Sequence, residues 1–320
     1  MSKLLVLLLL FANLAALGQN NKNTVNSFYR LEGLHTNDTV TVYDADAKRF
    51  FDSAGITDAT QKTAVNRLVL DLKGIRNPNY YTVNIWGKIK AMYPFVGGTV
   101  ATHQWNLKNP VNADSAFRLV FVNNPVQSSN GVSFDGATNY ADTKFVPSTM
   151  GEGSGHILYY SLTDIPENVS DAGCSDYTDY TDSGKLFKLS LLYHSTSAGA
   201  SNFTNNSNID IEFFSHQSSL GCFLGTILND TINSYKNGTW IHSNGTYSYS
   251  TNQAFPTISL FIGANDVFNR AGNPMMAVAE YSSKTCAFFS TGYGLTYAES
   301  IAISNYVQQF EKTLGRQVNY

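Results

Sequence analysis

Three polar residues alternate with isoleucines in the stretch Asn208-Ile209-Asp210-Ile211-Glu212. Successive side chains of a β-strand point to opposite faces, so Asn208, Asp210 and Glu212 would share one face. Carboxylates that share one face of a strand can lie together in a substrate cleft. If the chain is an enzyme, Asp210 and Glu212 are its candidate catalytic residues. An ordinary strand with an alternating polar face is the alternative interpretation.

A second group of acidic residues is closely spaced in the middle of the chain. Its members are Asp164, Glu167, Asp171, Asp176, Asp179 and Asp182. Calcium takes six to eight oxygen ligands, which makes Asp176, Asp179 and Asp182 the candidate metal ligands and Ca²⁺ the candidate cofactor. The spacing lacks the glycine of a calcium-binding loop and favours a solvated acidic loop. Tyr177 and Tyr180 are candidate ligand-binding residues, because an aromatic ring can stack on a sugar while its hydroxyl donates a hydrogen bond.

The dipeptide Asn237-Gly238 is typical of a two-residue hairpin turn. Trp240 follows this turn by two residues, and hairpin tips are often exposed in β proteins. Trp240 is therefore the third candidate ligand-binding residue. A position in the core is the alternative, since large aromatic side chains are buried in most proteins.

Other chemistry is not indicated. Cys174, Cys222 and Cys286 are far apart and form no C-x-x-C pair, so a zinc or redox site is not expected. One disulfide with a free thiol and three reduced, half-buried cysteines are both open interpretations. The string at residues 151–155 reads G-x-G-S-G, which differs from the G-x-S-x-G of a nucleophile elbow.

Composition and the first residues bear on location. The formal net charge is −3 and charged residues are 14% of the chain, so a basic surface that follows nucleic-acid phosphates is not expected. Lys3 precedes an apolar run from Leu4 to Leu17, which predicts a signal peptide over residues 1–18. This run is shorter than the roughly 20 residues that span a bilayer. We expect an exported protein, secreted or at the cell surface, with no membrane span after removal of the signal.

The remaining sequence divides into three parts: an extended lead-in over 19–43, a small helical segment over 44–95 and a β domain with a C-terminal helix over 96–320. In the helical segment, helices are predicted before Gly55, after the Asp58 cap, and from Trp86 to Tyr93. The C-terminal helix is predicted from a capping box, Thr296 with Glu299, and a stripe of apolar residues. That stripe contains Ile303, Val307, Phe310 and Leu314.

Period-two hydrophobic patterns, separated by Asn-Gly, Ser-Asn and Gly-rich turns, dominate the chain after Leu119. Such runs cover 118–122, 131–134, 157–162, 186–193, 209–214, 221–228, 231–235 and 258–262. Many short strands at this spacing predict a sandwich or barrel.

Four segments, in order, resemble the concanavalin A-like lectin/glucanase jelly rolls, in particular the laminin-G and pentraxin-like modules. The stretch 132–147, VSFDGATNYADTKFVP, predicts a strand, a tight turn and a second strand and is similar to their opening strand pair. SYKNGTWI (234–241), ISLFIGA (258–264) and CAFFSTGYGLTYAE (286–299) are similar to later strands of that fold. The resemblance implies a mainly β chain, folded as a concanavalin A-like β-sandwich (jelly roll).

The same resemblance bears on catalysis. Jelly-roll glycosidases of the bacterial β-glucanase type carry a strand that reads Glu-x-Asp-x-Glu, whose first residue is the nucleophile and whose last is the acid/base. This chain matches the second and third positions with Asp210 and Glu212 but has Asn208 at the first. A neutral amide cannot act as a carboxylate nucleophile, so an enzyme of this type would be inactive or severely impaired.

A narrower resemblance covers nearly the whole mature chain. AGITDATQKTAVNRLVLDLKG, IWGKIKAMYPFVGGT, WNLKNP, AFRLVF and FEKTLGRQV resemble virion structural or tail-associated proteins of Bacteroidetes phages and prophages. This implies an adhesion or assembly role, and the signal peptide is a departure from it.

Three hypotheses follow. The first is a non-catalytic, exported or virion-associated module that binds a glycan or a surface protein. The second is a degenerate glycoside hydrolase. The third is a purely structural subunit that assembles with copies of itself.

Overall fold

The fold is that of a computed structural model, which describes residues 42–75, 84–177, 184–193, 198–203, 211–215, 218–229, 231–241, 254–269 and 275–318. Residues 43–320 belong to one compact unit. The predicted signal peptide, and the predicted lead-in up to residue 41, lie outside the described residues.

Four α-helices occur in the described chain: α1 (Ala45–Ala54), α2 (Ala59–Leu72), the single turn α3 (Val100–His103) and α4 (Tyr297–Thr313). Local sequence sets their ends. Gly55 ends α1 in a left-handed conformation at φ 67°. The Asp58 carboxylate accepts a hydrogen bond from the Gln61 amide at the start of α2, and Thr296 and Glu299 form a reciprocal capping box before α4. The predictions of α1, α2 and α4 are confirmed.

Seventeen strands occur in the described residues. They are β1 (Ile89–Tyr93), β2 (Val120–Val122), β3 (Val126–Ser128), β4 (Gly131–Ser133), β5 (Tyr140–Asp142), β6 (Ser154–Ser161), β7 (Ala172–Tyr177), β8 (Gly184–Tyr193), β9 (Ala198–Asn202), β10 (Ile211–Ser215), β11 (Gly221–Leu228), β12 (Thr231–Lys236), β13 (Thr239–Trp240), β14 (Phe261–Ile262), β15 (Asn265–Asn269), β16 (Met275–Ala279) and β17 (Thr285–Gly292).

These strands form two sheets. Sheet A has the order β13-β12-β11-β6-β17-β4-β3, with β1 also paired to β17. Sheet B has the order β10-β9-β8-β7-β14-β5-β2, and β15 pairs with both β7 and β16. Within the described residues the pairings are antiparallel, except that β7 and β15 run parallel. The chain is mainly β, a jelly-roll-like sandwich with a helical N-terminal segment and a C-terminal helix, as predicted.

Sheet A is buried on both faces. On β6, Ile157 and Tyr159 lie in the core between the sheets, whereas Leu158 and Tyr160 lie in a second core beneath the helices. The period-two alternation of a strand separates them in this way. The second core also contains the apolar faces of α1 and α2 and the stripe of α4, where the rings of Phe288 and Phe310 are 5.6 Å apart. Helices from both ends of the unit therefore cover one sheet.

The predicted helix from Trp86 to Tyr93 is wrong. Only a 3₁₀ turn, Trp86–Lys88, precedes strand β1, which pairs antiparallel with β17. Met92 lies in the core beneath the helices and Tyr93 in the core between the sheets, so neighbouring side chains point in opposite directions. Pairing with β17 provides backbone hydrogen bonds and two buried faces, which outweigh a short helical pattern.

The 132–147 stretch forms a strand, a turn and a second strand, but the two strands do not pair with each other. β4 lies in sheet A and β5 in sheet B. The Asp135 carboxylate holds the connecting turn by accepting hydrogen bonds from the backbone amides of Ala137, Thr138 and Asn139 at 2.8–3.1 Å. The turn thus carries the chain from one sheet to the other.

Candidate functional site

The Asn237-Gly238 hairpin is formed as predicted. β12 and β13 pair with Tyr235 opposite Trp240 and Lys236 opposite Thr239. Asn237 has φ 51° and Gly238 has φ 79°. A two-residue turn whose central residues both have positive φ matches the twist of the flanking strands, and Asn-Gly tolerates it best.

Hydrogen bonds tie this turn to α4. The Asn237 side-chain oxygen accepts from the Cys222 amide at 2.8 Å and from Gln308 Nε2 at 2.5 Å. Gln308 Oε1 accepts from the Tyr160 hydroxyl at 3.1 Å, and that hydroxyl accepts from the Val318 amide at 3.1 Å. The hairpin, the helix and the segment after the helix are thereby held in a fixed arrangement.

Gly238 allows close approach of the helix to the turn. A Cβ atom at this position would lie 3.0 Å from Asn305 Oδ1. Asn305 and Gln308 are three residues apart on α4 and therefore lie on one side of the helix. Their side of the helix faces the hairpin.

A groove of about 700 Å³ lies between the hairpin and the C-terminal half of α4. It is lined by Lys236, Asn237, Thr239, Ile241, Asn305, Gln308, Gln317 and Val318. Four of these residues carry carboxamides, each of which offers an acceptor oxygen and two N–H donors. A surface that both donates and accepts hydrogen bonds is complementary to sugar hydroxyl groups, which also do both.

Lys236 is the cation among these lining residues, and its ammonium group is held against the protein. Its Nζ donates to the Ser218 carbonyl at 2.7 Å and lies 5.2 Å from the centroid of the Phe223 ring. Burial lowers the pKa of Lys236, and Asp164 opposes that shift. The ammonium group of this partly buried side chain is therefore already in contact with protein groups.

Two exposed aromatic side chains lie on the hairpin and at the start of α4, and neither is among the residues that line the groove. Trp240 is 45% exposed and Tyr297, at the start of α4, is 62% exposed. Trp240 is directly opposite Tyr235, whose ring centroid lies 6.1 Å from that of Tyr297. Directly opposed residues of an antiparallel pair share a face, so Trp240 lies on the helical side of sheet A. Its chain neighbours Thr239 and Ile241 line the groove.

The other predicted ligand-binding residues lie elsewhere. Tyr177 ends β7 in sheet B, and its ring occupies the space in which a side chain at Gly184 would stand. Tyr177 and Trp240 are therefore in different sheets. Tyr180 lies outside the described residues.

The predicted catalytic pair falls largely in a stretch that is not described. Asn208 and Asp210 lie outside the described residues. The backbone of Glu212 is part of β10, in register with Ser201 of β9. Asp210 and Glu212 as a catalytic pair stay a prediction.

The prediction that the acidic residues form a solvated loop is wrong for Asp171 and Asp176, which are both buried. Asp171 is 0% and Asp176 is 1% exposed. Asp171 and Glu167 both contact the fully buried Lys284, at 3.1 and 2.9 Å. A buried cation requires such carboxylate partners.

Of the three candidate metal ligands, Asp176 lies among the described residues. Asp176 accepts a hydrogen bond from Thr257 Oγ1 at 2.7 Å, while Asp179 and Asp182 lie outside the described residues. Within the described part of the chain, no group of three or more His, Cys, Asp or Glu side chains could hold a metal ion.

The cysteines are three free, buried thiols. Burial raises the pKa of Cys174, Cys222 and Cys286 well above the ordinary value. Of the two interpretations left open by the sequence, the structure shows three reduced cysteines, and they are fully buried rather than half-buried.

The groove residues on and after α4 were not predicted. Asn305 and Gln308 belong to the polar side of a helix that the sequence indicated only through its apolar stripe, and Gln317 lies in the segment after that helix. The i, i+3 spacing of the two helical amides is visible in the sequence. That they face the Asn237-Gly238 turn is not, because it depends on how α4 packs on sheet A.

Comparisons with known proteins assign no family. No protein-family model matches the chain, and no curated protein sequence matches it. Among the described helices, none is long and apolar enough to cross a membrane.

Several solved structures show weak similarity. A Trypanosoma rangeli sialidase in complex with 2,3-difluorosialic acid matches at 12% identity and TM-score 0.46, over 78% of this chain and 39% of the sialidase. The chain thus spans about two fifths of that sialidase.

Two smaller domains also match. One is the CBM40 of Ruminococcus gnavus IT-sialidase, bound to α2,6-sialyllactose, at 11% identity and TM-score 0.35, over 49% of this chain and 86% of the module. The other is domain 4 of AbnA, a GH43 extracellular arabinanase from Geobacillus stearothermophilus. It matches at 10% identity and TM-score 0.34, over 68% of this chain and 98% of that domain.

Proposed function

We propose that this protein is a non-catalytic, carbohydrate-binding module of concanavalin A-like type whose ligand occupies the groove between the Asn237-Gly238 hairpin and α4. The observation that carries the proposal is the set of four carboxamides that line one preformed groove. Ligand sites are usually concave and preformed, with a few fixed polar groups that set orientation. Trp240 is 45% exposed and is the chain neighbour of the lining residues Thr239 and Ile241, and in this proposal its ring supplies an apolar surface on which a sugar stacks.

A binding role is favoured over catalysis. Glycoside hydrolysis needs two carboxyl groups at the scissile bond, and the lining residues of the groove carry none. The alternative hydrolase would use Asp210 and Glu212, and the amide of Asn208 cannot supply a nucleophilic carboxylate.

We further propose that the module is exported and acts in adhesion at a surface. The apolar run from Leu4 to Leu17 supports export. The resemblance to phage virion proteins supports a place on a virion if the chain is phage-encoded. In either setting the groove would attach the protein to a glycan.

The test is a glycan-array assay on the chain from Gln19, with and without calcium. Asn305→Ala removes one carboxamide from an exposed helix position and should weaken binding roughly 2- to 10-fold, the effect of one hydrogen bond. Trp240→Ala should weaken it about tenfold or more. Asn130→Ala removes an exposed carboxamide outside the groove and should leave binding unchanged.

Two results would contradict the proposal. Absence of binding across neutral and acidic oligosaccharides, together with a stable oligomer in light scattering, would favour the self-assembling structural subunit. Turnover of any glycan that is lost in Glu212→Gln would favour the hydrolase. Binding that depends on calcium would indicate a metal site, for which Asp176, Asp179 and Asp182 are the candidate ligands.

A further inference from the structure

Building on the proposed function, we infer that the groove recognises a sugar through a carbonyl-type oxygen, in an acetamido or a carboxylate group, that accepts hydrogen bonds from the side-chain nitrogens of Asn237 and Gln308. The inference rests on the direction in which these two carboxamides are held. Both side chains line the groove and are partly exposed, so a bound ligand can reach them.

Two backbone N–H groups fix which end of each carboxamide faces the ligand. A backbone N–H can only donate, so the Asn237 side-chain atom that lies 2.8 Å from the Cys222 amide is the oxygen. At the other end of the network, the Val318 amide donates to the Tyr160 hydroxyl at 3.1 Å. That hydroxyl directs its own hydrogen to Gln308, whose Oε1 accepts it at 3.1 Å. Reversing either carboxamide would set a donor against a donor or an acceptor against an acceptor.

The same network leaves nitrogen atoms for a ligand at the junction of the turn and α4. Gln308 Nε2 donates to the Asn237 oxygen at 2.5 Å. That oxygen also accepts from Cys222, so both of its lone pairs are used. Asn237 Nδ2 donates to no atom of the described residues, and Gln308 Nε2 uses one of its two hydrogens in the bond to Asn237. The remaining N–H donors lie side by side, because Gln308 is bonded to the oxygen of the same Asn237 amide.

A carbonyl or carboxylate oxygen is the sugar group that fits such donors best. It accepts through its lone pairs and carries no hydrogen that needs an acceptor of its own. A hydroxyl can accept the same bonds, but it must then direct its hydrogen to another acceptor, and the Asn237 oxygen is already fully used. Charge does not oppose a carboxylate, because the lining residues include Lys236 and neither Asp nor Glu. The shared chemistry is therefore a carbonyl-type oxygen, neutral in an acetamido group and charged in a carboxylate.

The experiment compares matched oligosaccharides by titration calorimetry at fixed salt. Glucose and galactose oligomers are each paired with the corresponding N-acetylhexosamine oligomer and, separately, with the same oligomer after oxidation of one hydroxymethyl group to a carboxylate. The first type of pair tests an acetamido oxygen and the second tests a carboxylate. We expect the carbonyl-bearing member to bind roughly 2- to 10-fold more tightly in at least one type of pair, the effect of one added hydrogen bond.

Asn237→Asp is the decisive variant. The aspartate keeps one oxygen that accepts from Cys222 and Gln308, and Asp-Gly suits this turn as Asn-Gly does. Its second oxygen replaces the N–H donors of Nδ2, so the advantage of the acetamido member should disappear. The carboxylate member should bind more weakly than the plain hexose oligomer, because two carboxylates would then repel each other. Asn130→Asp adds the same charge at an exposed site outside the groove and should leave both ratios unchanged.

A second readout uses the unmodified protein and does not depend on the stability of any variant. In NMR spectra that resolve side-chain NH₂ groups, the signals of Asn237 and Gln308 should shift when the tighter-binding, carbonyl-bearing oligosaccharide is added. Other side-chain amides outside the groove, such as that of Asn130, should not shift.

The outcomes separate this inference from the proposed function. If no member of any pair binds, the proposed function fails and the inference fails with it. If the plain hexose oligomers bind as tightly as all their carbonyl-bearing partners, and Asn305→Ala weakens them, the proposed function stands and the inference is overturned. If a carbonyl-bearing member binds more tightly but the NH₂ signals of Asn237 and Gln308 do not move, its oxygen is held elsewhere, which also overturns the inference. An advantage in one type of pair alone, with movement of these signals, supports the inference and identifies the source of the oxygen.

Discussion

Arg316 should be among the most costly polar side chains to remove from this protein. Its guanidinium is 4% exposed and binds Glu311 through two hydrogen bonds, of 2.7 and 2.9 Å. Four backbone carbonyls also accept from it at 3.0–3.3 Å, and they belong to Pro94, Phe95, Ser129 and Ala287. One side chain thus joins the end of α4 to three distant segments of the chain.

Arg316→Met keeps much of the volume and removes every one of these bonds. Removing one partner of a buried ion pair costs about 3–5 kcal/mol, because the group left behind must stay buried as an uncompensated charge or take up a proton. Burial raises the pKa of Glu311 to about 7, and Arg316 opposes that rise. Without the guanidinium, Glu311 should therefore be protonated in the folded variant at neutral pH, which sets part of the cost.

Chemical denaturation gives the change in free energy of unfolding, and a thermal melt should show a midpoint lower by roughly 6–20 °C. Lys48→Met is the matched control, since Lys48 pairs with Asp52 at 2.7 Å but both side chains are more than 60% exposed. Exposed pairs contribute less than about 1 kcal/mol. The double variant Arg316→Met with Glu311→Leu should recover part of the loss. A cost below about 1 kcal/mol for Arg316→Met would refute the reasoning.

Two further perturbations test the core. Gly263→Ala should cost about 2–5 kcal/mol by denaturation, because φ is 83° and a Cβ would lie 2.4 Å from the Phe134 ring. Gly55→Ala, also at positive φ but in open space, should cost only about 1–2 kcal/mol, and equal costs would show that the contact with Phe134 is unimportant. Burial lowers the pKa of His156 to about 4, whereas unfolded histidine titrates near 6.5. The unfolded chain therefore binds a proton here that the folded chain excludes, and stability should fall by about 2 kcal/mol from this group as pH drops from 7 to 5. His156→Asn should remove that part of the pH dependence in urea unfolding, and an unchanged slope would contradict it.

Local signals in the sequence predicted the local structure well. The capping residues Asp58, Thr296 and Glu299 marked the helix starts, and Gly55 marked an end, because caps satisfy backbone groups within a few residues. Asn237-Gly238 likewise gave the hairpin. Each of these depends on neighbours in sequence, which a sequence shows directly.

The sequence did not show which distant residues pair with each other in the fold. β1 was predicted as a helix because its partner β17 begins almost two hundred residues later. Asp171 was placed in a solvated loop because the cation that pairs with it, Lys284, is more than a hundred residues away. A charged residue without an obvious neighbour looks exposed in a sequence, yet here a distant opposite charge allows its burial.

The candidate groove is a consequence of how sheet A is covered. A sheet with apolar side chains on both faces needs a second layer, and α4 supplies part of it by placing Ile303, Val307 and Phe310 on the sheet. The polar side of α4 is then left beside the Asn237-Gly238 hairpin at the edge of that sheet. Gln317 and Val318 follow directly after Arg316, so the same buried guanidinium that stabilises the fold also fixes one wall of the groove. Loss of Arg316 should therefore weaken the glycan binding that we propose for this groove, even under conditions where the variant remains folded.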